Sequence, residues 1–219
     1  LAERVLQDSC RLQAGERVLI ESVDVPAEVI AVFMQAARAL GAHPFSLQKS
    51  ERLMRETALS ARPEDMQLQA DLELEQLSRM QAHVLIRCPL NGCEMWDVPQ
   101  EQLNTVLTHY VQRVHYEYRN RKLRFVTLRW PSLSLAERAG MSTAEFEDFF
   151  FAGCLVDYQR LSKDLDPLVQ LMQETNKVRI KGPGDTDLSF SIKNMPVSKD
   201  VGERNLPDGE ISTAPIKES

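Results

Sequence analysis

Apolar strand-like segments alternate with segments of helical length over the first 130 residues of this chain. Residues 18–20 (Val-Leu-Ile) form the clearest strand, and Asp24 and Pro26 follow as helix-starting residues, with Gly41 as the helix end. Three more strands are predicted near residues 44–47, 83–87 and 123–128. Helical stretches are predicted between them, up to about Met80 and over residues 98–118. Strands separated by helices predict parallel βαβ units, so the fold class is predicted as α/β with a parallel sheet.

The pattern changes after Gly140. Ser142 and Glu145 have the spacing of a capping box before a helix, and a second helix is predicted through residues 161–171. After it, apolar and polar residues alternate on both sides of the turn at residues 182–185, which predicts an antiparallel hairpin. We therefore predict an α/β domain over residues 1–175 and the first antiparallel strands of a second domain over residues 176–219. These 44 residues are too few to bury a core without disulfides or a metal, so the second domain is predicted to be incomplete.

Charge and hydropathy exclude several classes of partner. The net charge of −6 and the pI near 5.3 argue against nucleic acid as a partner. The basic positions of residues 119–124 are interpreted as a solvated helix end. No apolar run approaches the roughly 18 residues of a membrane span, and the early charges Glu3, Arg4 and Asp8 are unlike a signal peptide. A cytoplasmic protein with no membrane partner is expected, and its four scattered cysteines are interpreted as buried or loop thiols.

Common catalytic motifs are absent from the sequence. There is no G-x-x-x-x-G-K-[ST] loop, no H-E-x-x-H pair and no G-x-S-x-G elbow. The histidines all lie in the α/β part and are interpreted as core or surface residues: His43, His83, His109 and His115. The segment from Trp130 to Ser132 follows a predicted strand, so it either borders a ligand cleft or packs Trp130 at a domain edge.

The position of one carboxylate suggests that it binds a metal ion. Glu210 follows the Pro207-Asp208-Gly209 turn, which aims the next residue reproducibly as a strand begins. The neighbouring acids Asp187, Asp200 and Asp208 are interpreted as solvated turn residues. A held carboxylate suits a hard divalent metal ion, but such sites draw three or more ligands. Glu210 is therefore predicted as part of a metal site whose other ligands are expected beyond Ser219.

Three segments resemble the aminopeptidase T-like metallo-aminopeptidases. They read RWPSLSLAERAGMSTAEFEDFFFAGCLVDY, GPGDTDLSFSIKNMP and NLPDGEISTAP. The resemblance implies that Glu210 is a ligand of a two-metal centre. The family's other ligands, a second Glu, two His and an Asp, come later in its sequences and have no counterparts here. The chain is therefore expected to hold the amino-terminal domain and the opening strands of the metal domain, and its start at Leu1 suggests trimming.

This resemblance implies an enzyme that releases amino-terminal residues from peptides with two divalent metal ions, which could be zinc, cobalt, manganese or magnesium. It also implies a homodimer with peptide substrates, and a chain that is inactive by itself. Two alternatives stay open. One is an iron-dependent ring-cleaving dioxygenase of the dihydroxypyridine type, which would hold one iron with His and carboxylate ligands. The other is a non-catalytic dimerisation or binding module.

Overall fold

A parallel β-sheet forms where the sequence predicts one. Val18, Leu19 and Ile20 are fully buried, as expected for a strand covered on both faces. The structure, a computed structural model, describes residues 1–217. Within this range the sheet has five strands: β1 (Arg17–Val23), β2 (His43–Lys49), β3 (Ala82–Arg87), β4 (Arg124–Arg129) and β8 (Asn205–Leu206). Their order across the sheet is β2-β1-β3-β4-β8, and every pairing is parallel.

Helices connect the strands as the sequence predicts, with one difference. The polar stretch before β3 forms two helices instead of one, because Pro63 starts a new helix at its first position. The helices are α1 (Ala2–Arg4, continued by a π-helical turn over Val5–Ser9), α2 (Ala27–Ala39), α3 (Glu51–Leu59), α4 (Pro63–Leu77), α5 (Gln100–Val106), α6 (Asn120–Lys122), α7 (Leu133–Ala139), α8 (Thr143–Cys154) and α9 (Tyr158–Glu174). A π-helical segment, Leu107–Arg119, links α5 to α6.

The core lies where α4 and the π-helical segment cover the sheet. Leu19 of β1 packs there with Met66 and Ala70 of α4 and with Tyr110 and Val114 of the π-helical segment. Side chains alternate between faces along a strand, so Glu21 points to the same covered face as Leu19. A charged residue is thereby placed beside the apolar core.

The interpretation of residues 119–124 as a solvated helix end was only partly right. Arg119 lies over the Phe125 ring at 4.5 Å. Arg124 belongs to β4 and donates to Glu16 Oε1 at 2.5 Å. The remaining two basic residues, Arg121 and Lys122, are exposed, so the stretch contributes to packing as well as to solvation.

The chain divides into two compact units. The first, the α/β unit, comprises residues 1–154 and 203–206. The second comprises residues 155–202 and the residues from 207 onward, which are described up to residue 217. The predicted hairpin is confirmed as β5 (Lys177–Lys181) paired with β6 (Asp187–Ser191), and a second antiparallel pair joins β7 (Ser198–Asp200) to β9 (Glu210–Ser212). This division into compact units does not test where a metal domain begins, so the predicted start near Asn176 stays a prediction.

Candidate functional site

Glu210 begins β9 directly after a turn that is fixed by several hydrogen bonds. The Asp208 carboxylate accepts from the backbone N–H groups of Gly202 and Gly209, each at 2.9 Å. The backbone N–H of Asp208 donates to the Tyr158 hydroxyl at 3.1 Å. Asp208 is therefore the turn residue that the sequence predicts, and its carboxylate also fixes the turn. Because the turn is tied to α9 through Tyr158, the position of the Glu210 backbone is defined.

Gly209 in this turn and Gly202, whose N–H donates to Asp208, are both required by conformation and space. Gly209 has φ 133°, and a Cβ there would lie 2.9 Å from Leu161 Cδ2. Gly202 has φ 86°, and a Cβ there would lie 3.0 Å from the Tyr158 ring. Residues other than glycine rarely adopt such φ values. A larger residue at either position would therefore push the turn away from α9.

A second carboxylate lies opposite Glu210. In the β7–β9 pair, Asp200 is the register partner of Glu210. Strand β7 is itself anchored, because Lys199 Nζ donates to Asp166 Oδ1 at 2.6 Å and to Ser162 Oγ at 2.9 Å. Like charges directly opposite each other destabilise a strand pair. Among residues 1–217, Asp200 and Glu210 form no ion pair with a cationic side chain, so a bound cation would relieve their repulsion.

Glu210 fits a metal ion as one ligand of several. Its carboxylate is exposed and supplies the oxygen donor that hard divalent ions prefer. No group of three or more His, Cys, Asp or Glu side chains within the described residues could hold a metal. A metal centre that included Glu210 would therefore need further donors from other residues.

The histidines lie in the α/β unit, each in a different setting. His43 is exposed, and His83 is fully buried. His109 Nδ1 lies 3.2 Å from Gln67 Nε2, and the His115 ring packs edge-on to Tyr110. Of the cysteines, Cys10, Cys88 and Cys154 are buried and Cys93 is exposed.

A buried network of charged and polar groups, which the sequence interpretation missed, crosses the α/β unit. Lys49 Nζ lies 2.8 Å from Glu21 Oε1, 2.8 Å from Glu73 Oε2 and 2.9 Å from the Tyr110 hydroxyl. The Tyr110 hydroxyl donates to Glu73 Oε2 at 2.6 Å. His83 Nε2 lies 2.9 Å from Glu21 Oε2 and donates to it, because an ionised carboxylate can only accept. The network therefore connects β1, β2, β3, α4 and the π-helical segment.

Mutual attraction keeps Glu21 and Lys49 ionised in spite of burial. Burial by itself would raise the pKa of Glu21, but the hydrogen bond from His83 and the charge of Lys49 outweigh it and hold this pKa far below its usual range. Burial would likewise lower the pKa of Lys49, but the carboxylate of Glu21 and the groups of Tyr110 and Glu73 raise it well above normal. Lys49 is thus a permanent cation.

All three N–H donors of the Lys49 ammonium are used within the network, which favours a structural role for this residue. An ammonium has three N–H donors, and each has an acceptor here. A cavity of about 250 Å³ lies beside Lys49 and Tyr110 and is lined by apolar side chains that include Leu53, Met54 and Val106. Because Lys49 has no spare donor for a ligand, the network holds elements together and does not resemble a reactive site.

The loop after β4 packs an aromatic residue and lies beside a cavity, and its role at a ligand cleft stays a prediction. Trp130 packs on the Phe151 ring with centroids 5.3 Å apart. Ser132 Oγ donates to the Pro89 carbonyl at 2.6 Å and accepts from Leu135 N at 3.3 Å, capping α7. The adjacent Arg129 borders a cavity, so the loop also lies next to a cleft.

Comparison with known proteins identifies related sequences and folds. Residues 1–219 match the family described as thermophilic metalloprotease (M29). Wild-type AmpT from Thermus thermophilus superposes with a TM-score of 0.77 at 15% identity, covering 100% of this chain and 61% of that chain. This chain thus spans less than two thirds of the AmpT length, and at this identity the likeness shows the fold.

A fatty acid ABC transporter substrate-binding protein from Thermomonospora curvata gives a TM-score of 0.32 at 12% identity, covering 65% of this chain and 30% of that chain. This similarity is too low to support an argument. No curated protein matches the sequence. No helix in residues 1–217 is both long and apolar enough to cross a membrane.

Proposed function

Because this chain belongs to the M29 family of thermophilic metalloproteases, we propose that the full-length protein is a metallo-aminopeptidase. It would release amino-terminal residues from peptides, with Glu210 as one ligand of a centre of two divalent metal ions. The metal-binding part would begin near Asn176 and include residues beyond those described. The protein would act as a homodimer, as the family resemblance implies, and its location would be the cytoplasm.

The observation that carries this proposal is the placement of Glu210. Its carboxylate is exposed, it follows a turn fixed by Asp208 and Tyr158, and it faces Asp200 across the strand pair. A rigid backbone reduces the cost of ordering a ligand before the metal binds. An unpaired carboxylate opposite a second one is also an electrostatic reason for a cation to bind here.

The chain's own contribution to catalysis is to hold one oxygen ligand in place. In this enzyme class, two divalent ions polarise the scissile carbonyl and lower the pKa of a bound water. The ion would be zinc, cobalt, manganese or magnesium. With Glu210 as one ligand of an incomplete set, the 219-residue chain by itself should be inactive.

Replacing Glu210 by Gln in the full-length protein tests the assignment. Gln keeps the shape of the side chain but removes its charge, so metal content measured by plasma mass spectrometry should fall well below the wild-type value. Turnover of an aminoacyl chromogenic substrate should fall with it. Asp185→Asn is the matched control, because Asp185 is an exposed carboxylate of the same unit. Unchanged metal content and turnover in E210Q would refute its role as a ligand.

The number of metal ions also tests the reaction class. Two ions per chain, with hydrolysis of a free amino-terminal substrate and no hydrolysis of its acetylated form, would support the aminopeptidase. One iron per chain without hydrolysis would instead indicate the dioxygenase alternative.

A further inference from the structure

A positively lined cavity lies at the carboxyl ends of two neighbouring strands of the parallel sheet. It has a volume of about 260 Å³. Arg87 is the last residue of β3 and Arg129 is the last residue of β4, and both line it together with Arg138 of α7. Ligands of open α/β sheets bind in crevices outside the carboxyl ends of the strands. The cavity therefore lies where such a fold places a ligand.

The charges around this cavity do not balance. Arg87 Nη2 lies 3.5 Å from Glu51 Oε1, the carboxylate that also lines the cavity. Arg129 and Arg138 form no ion pair with any residue in the described part of the chain, and both are exposed. Three guanidinium groups thus face one carboxylate, in a protein whose net charge is −6. The repulsion among these guanidinium groups would be relieved by an anion.

The wall between α7 and the loop after β3 leaves room for such an anion. A Cβ added at Gly92 would lie 3.6 Å from Arg138 Nη1 and 3.6 Å from Ser134 Oγ. Because Gly92 has no side chain, the guanidinium of Arg138 and the hydroxyl of Ser134 stay accessible from the cavity. Both groups are donors that oxygen anions accept from.

We propose that this cavity binds a small oxyanion through Arg129, Arg138 and Ser134. A guanidinium presents two parallel N–H donors that match both carboxylate and phosphate oxygens. The ligand would be the terminal carboxylate of a short peptide or a phosphate group. The proposal depends only on residues of the α/β unit, so it stands or fails independently of the metal centre.

Tryptophan fluorescence gives a direct test. The chain has two tryptophans, and Trp96 is exposed, so Trp96→Phe leaves Trp130 as the reporter. Trp130 follows Arg129, and its backbone N–H donates to the Arg87 carbonyl at 2.7 Å. The 219-residue chain carrying Trp96→Phe should be titrated with inorganic phosphate, with N-acetyl-alanyl-alanine and with the amide of that peptide, at constant ionic strength.

Saturable binding of phosphate or of the free carboxylate, but not of the amide, is the expected result. Tighter binding of phosphate would assign the cavity to phosphate, and tighter binding of the peptide acid would assign it to peptide carboxylates. The double variant R129A/R138A should weaken binding at least about tenfold. Gly92→Leu, which fills the cavity without changing its charge, should have a similar effect.

The matched control is Arg38→Ala. Arg38 is exposed and, within residues 1–217, has no ion pair, but it lies outside the cavity. Its removal changes the net charge by one unit and should leave binding unchanged. Equal binding of the acid and the amide would refute the proposal, as would full affinity in R129A/R138A.

Discussion

The side chain of Lys49 shows how one residue can hold several elements together. Its ammonium contacts Glu21 of β1, Glu73 of α4 and Tyr110 of the π-helical segment. Charged residues in a strand usually indicate a solvated face, so the sequence pattern could not reveal a buried cation. It is buried here because two carboxylates from distant parts of the chain converge on it.

Replacing Lys49 by Met should destabilise the protein strongly. Met retains the apolar stem but leaves Glu21 and Glu73 as buried carboxylates without their cation. Removing one partner of a buried ion pair costs about 3–5 kcal/mol of the free energy of unfolding. Urea denaturation at pH 7 measures this loss. Lys122→Met, at an exposed position of the same unit, should change stability little, and a loss in K49M no larger than in this control would contradict the network's role.

His115 should make stability depend on pH in mildly acidic solution. Burial and, after it, the positive charge of Arg119 lower its pKa from 6.5 to about 4, and the charge of Glu21 partly opposes this shift. Lys49 and His83 also act on it as positive groups. Nδ1 of His115 is buried without a partner among the described residues, so protonation in the folded state brings no new hydrogen bond.

The sign of this effect follows from the two protonation states. Between pH 6.5 and pH 4 the unfolded chain binds a proton at His115 that the folded chain does not, so the free energy of unfolding falls as pH falls. The contribution of His115 to the free energy of unfolding is fully present above pH 6.5 and is lost by about pH 4. Its size is up to about 3 kcal/mol. Denaturation midpoints between pH 4 and 7 should show a smaller slope in H115Q, whereas H43Q, at an exposed histidine, should keep the wild-type slope. An unchanged slope in H115Q would exclude His115 as the cause.

At the scale of elements, the turn before β9 decides where Glu210 lies. Gly209→Ala would place a methyl group 2.9 Å from Leu161 Cδ2 at φ 133°. Such strain costs of the order of 1–3 kcal/mol. The chain should relieve it by shifting the turn, so the metal affinity of the full-length protein should fall although Glu210 is intact. Calorimetric titration with zinc measures this.

A variant at a second glycine distinguishes the effect of backbone strain from the effect of displacing the turn. Gly184 has φ 69°, but a Cβ there would meet nothing within 4 Å. Gly184→Ala should therefore lose some stability and keep its metal affinity. Equal metal affinity in G209A and G184A would show that the Gly209 turn does not position Glu210.

The predictability of the elements follows from their length and periodicity. Strands β1 to β4 were predictable because short, largely apolar segments lie between helical patterns. Strand β8 was not, because Asn205 and Leu206 are too few to show any alternation. It forms because backbone groups extend the sheet beside β4, where Thr127 N donates to the Arg204 carbonyl at 2.8 Å. Such a pairing depends on tertiary contacts that no local pattern encodes.

For the whole molecule, the family could be recognised from the sequence, but only one candidate ligand of the proposed metal site could be identified. The Pro-Asp-Gly-Glu motif identified Glu210, and the turn chemistry explained why it is held. The facing carboxylate of Asp200 depends on the register of β7 with β9, which the sequence did not specify. The arginine-lined cavity likewise depends on two strands ending side by side.

The full-length protein and this 219-residue chain should therefore differ sharply in metal binding. After dialysis against a chelator and then against zinc, the full-length protein should retain two ions per chain and regain peptidase activity. The 219-residue chain should retain almost none, because Glu210 and Asp200 are only two carboxylates and stable sites draw three or more ligands. Plasma mass spectrometry after gel filtration measures both. Stoichiometric, tightly held zinc in the 219-residue chain would mean that its own residues complete a centre, and the proposed dependence on further ligands would be wrong.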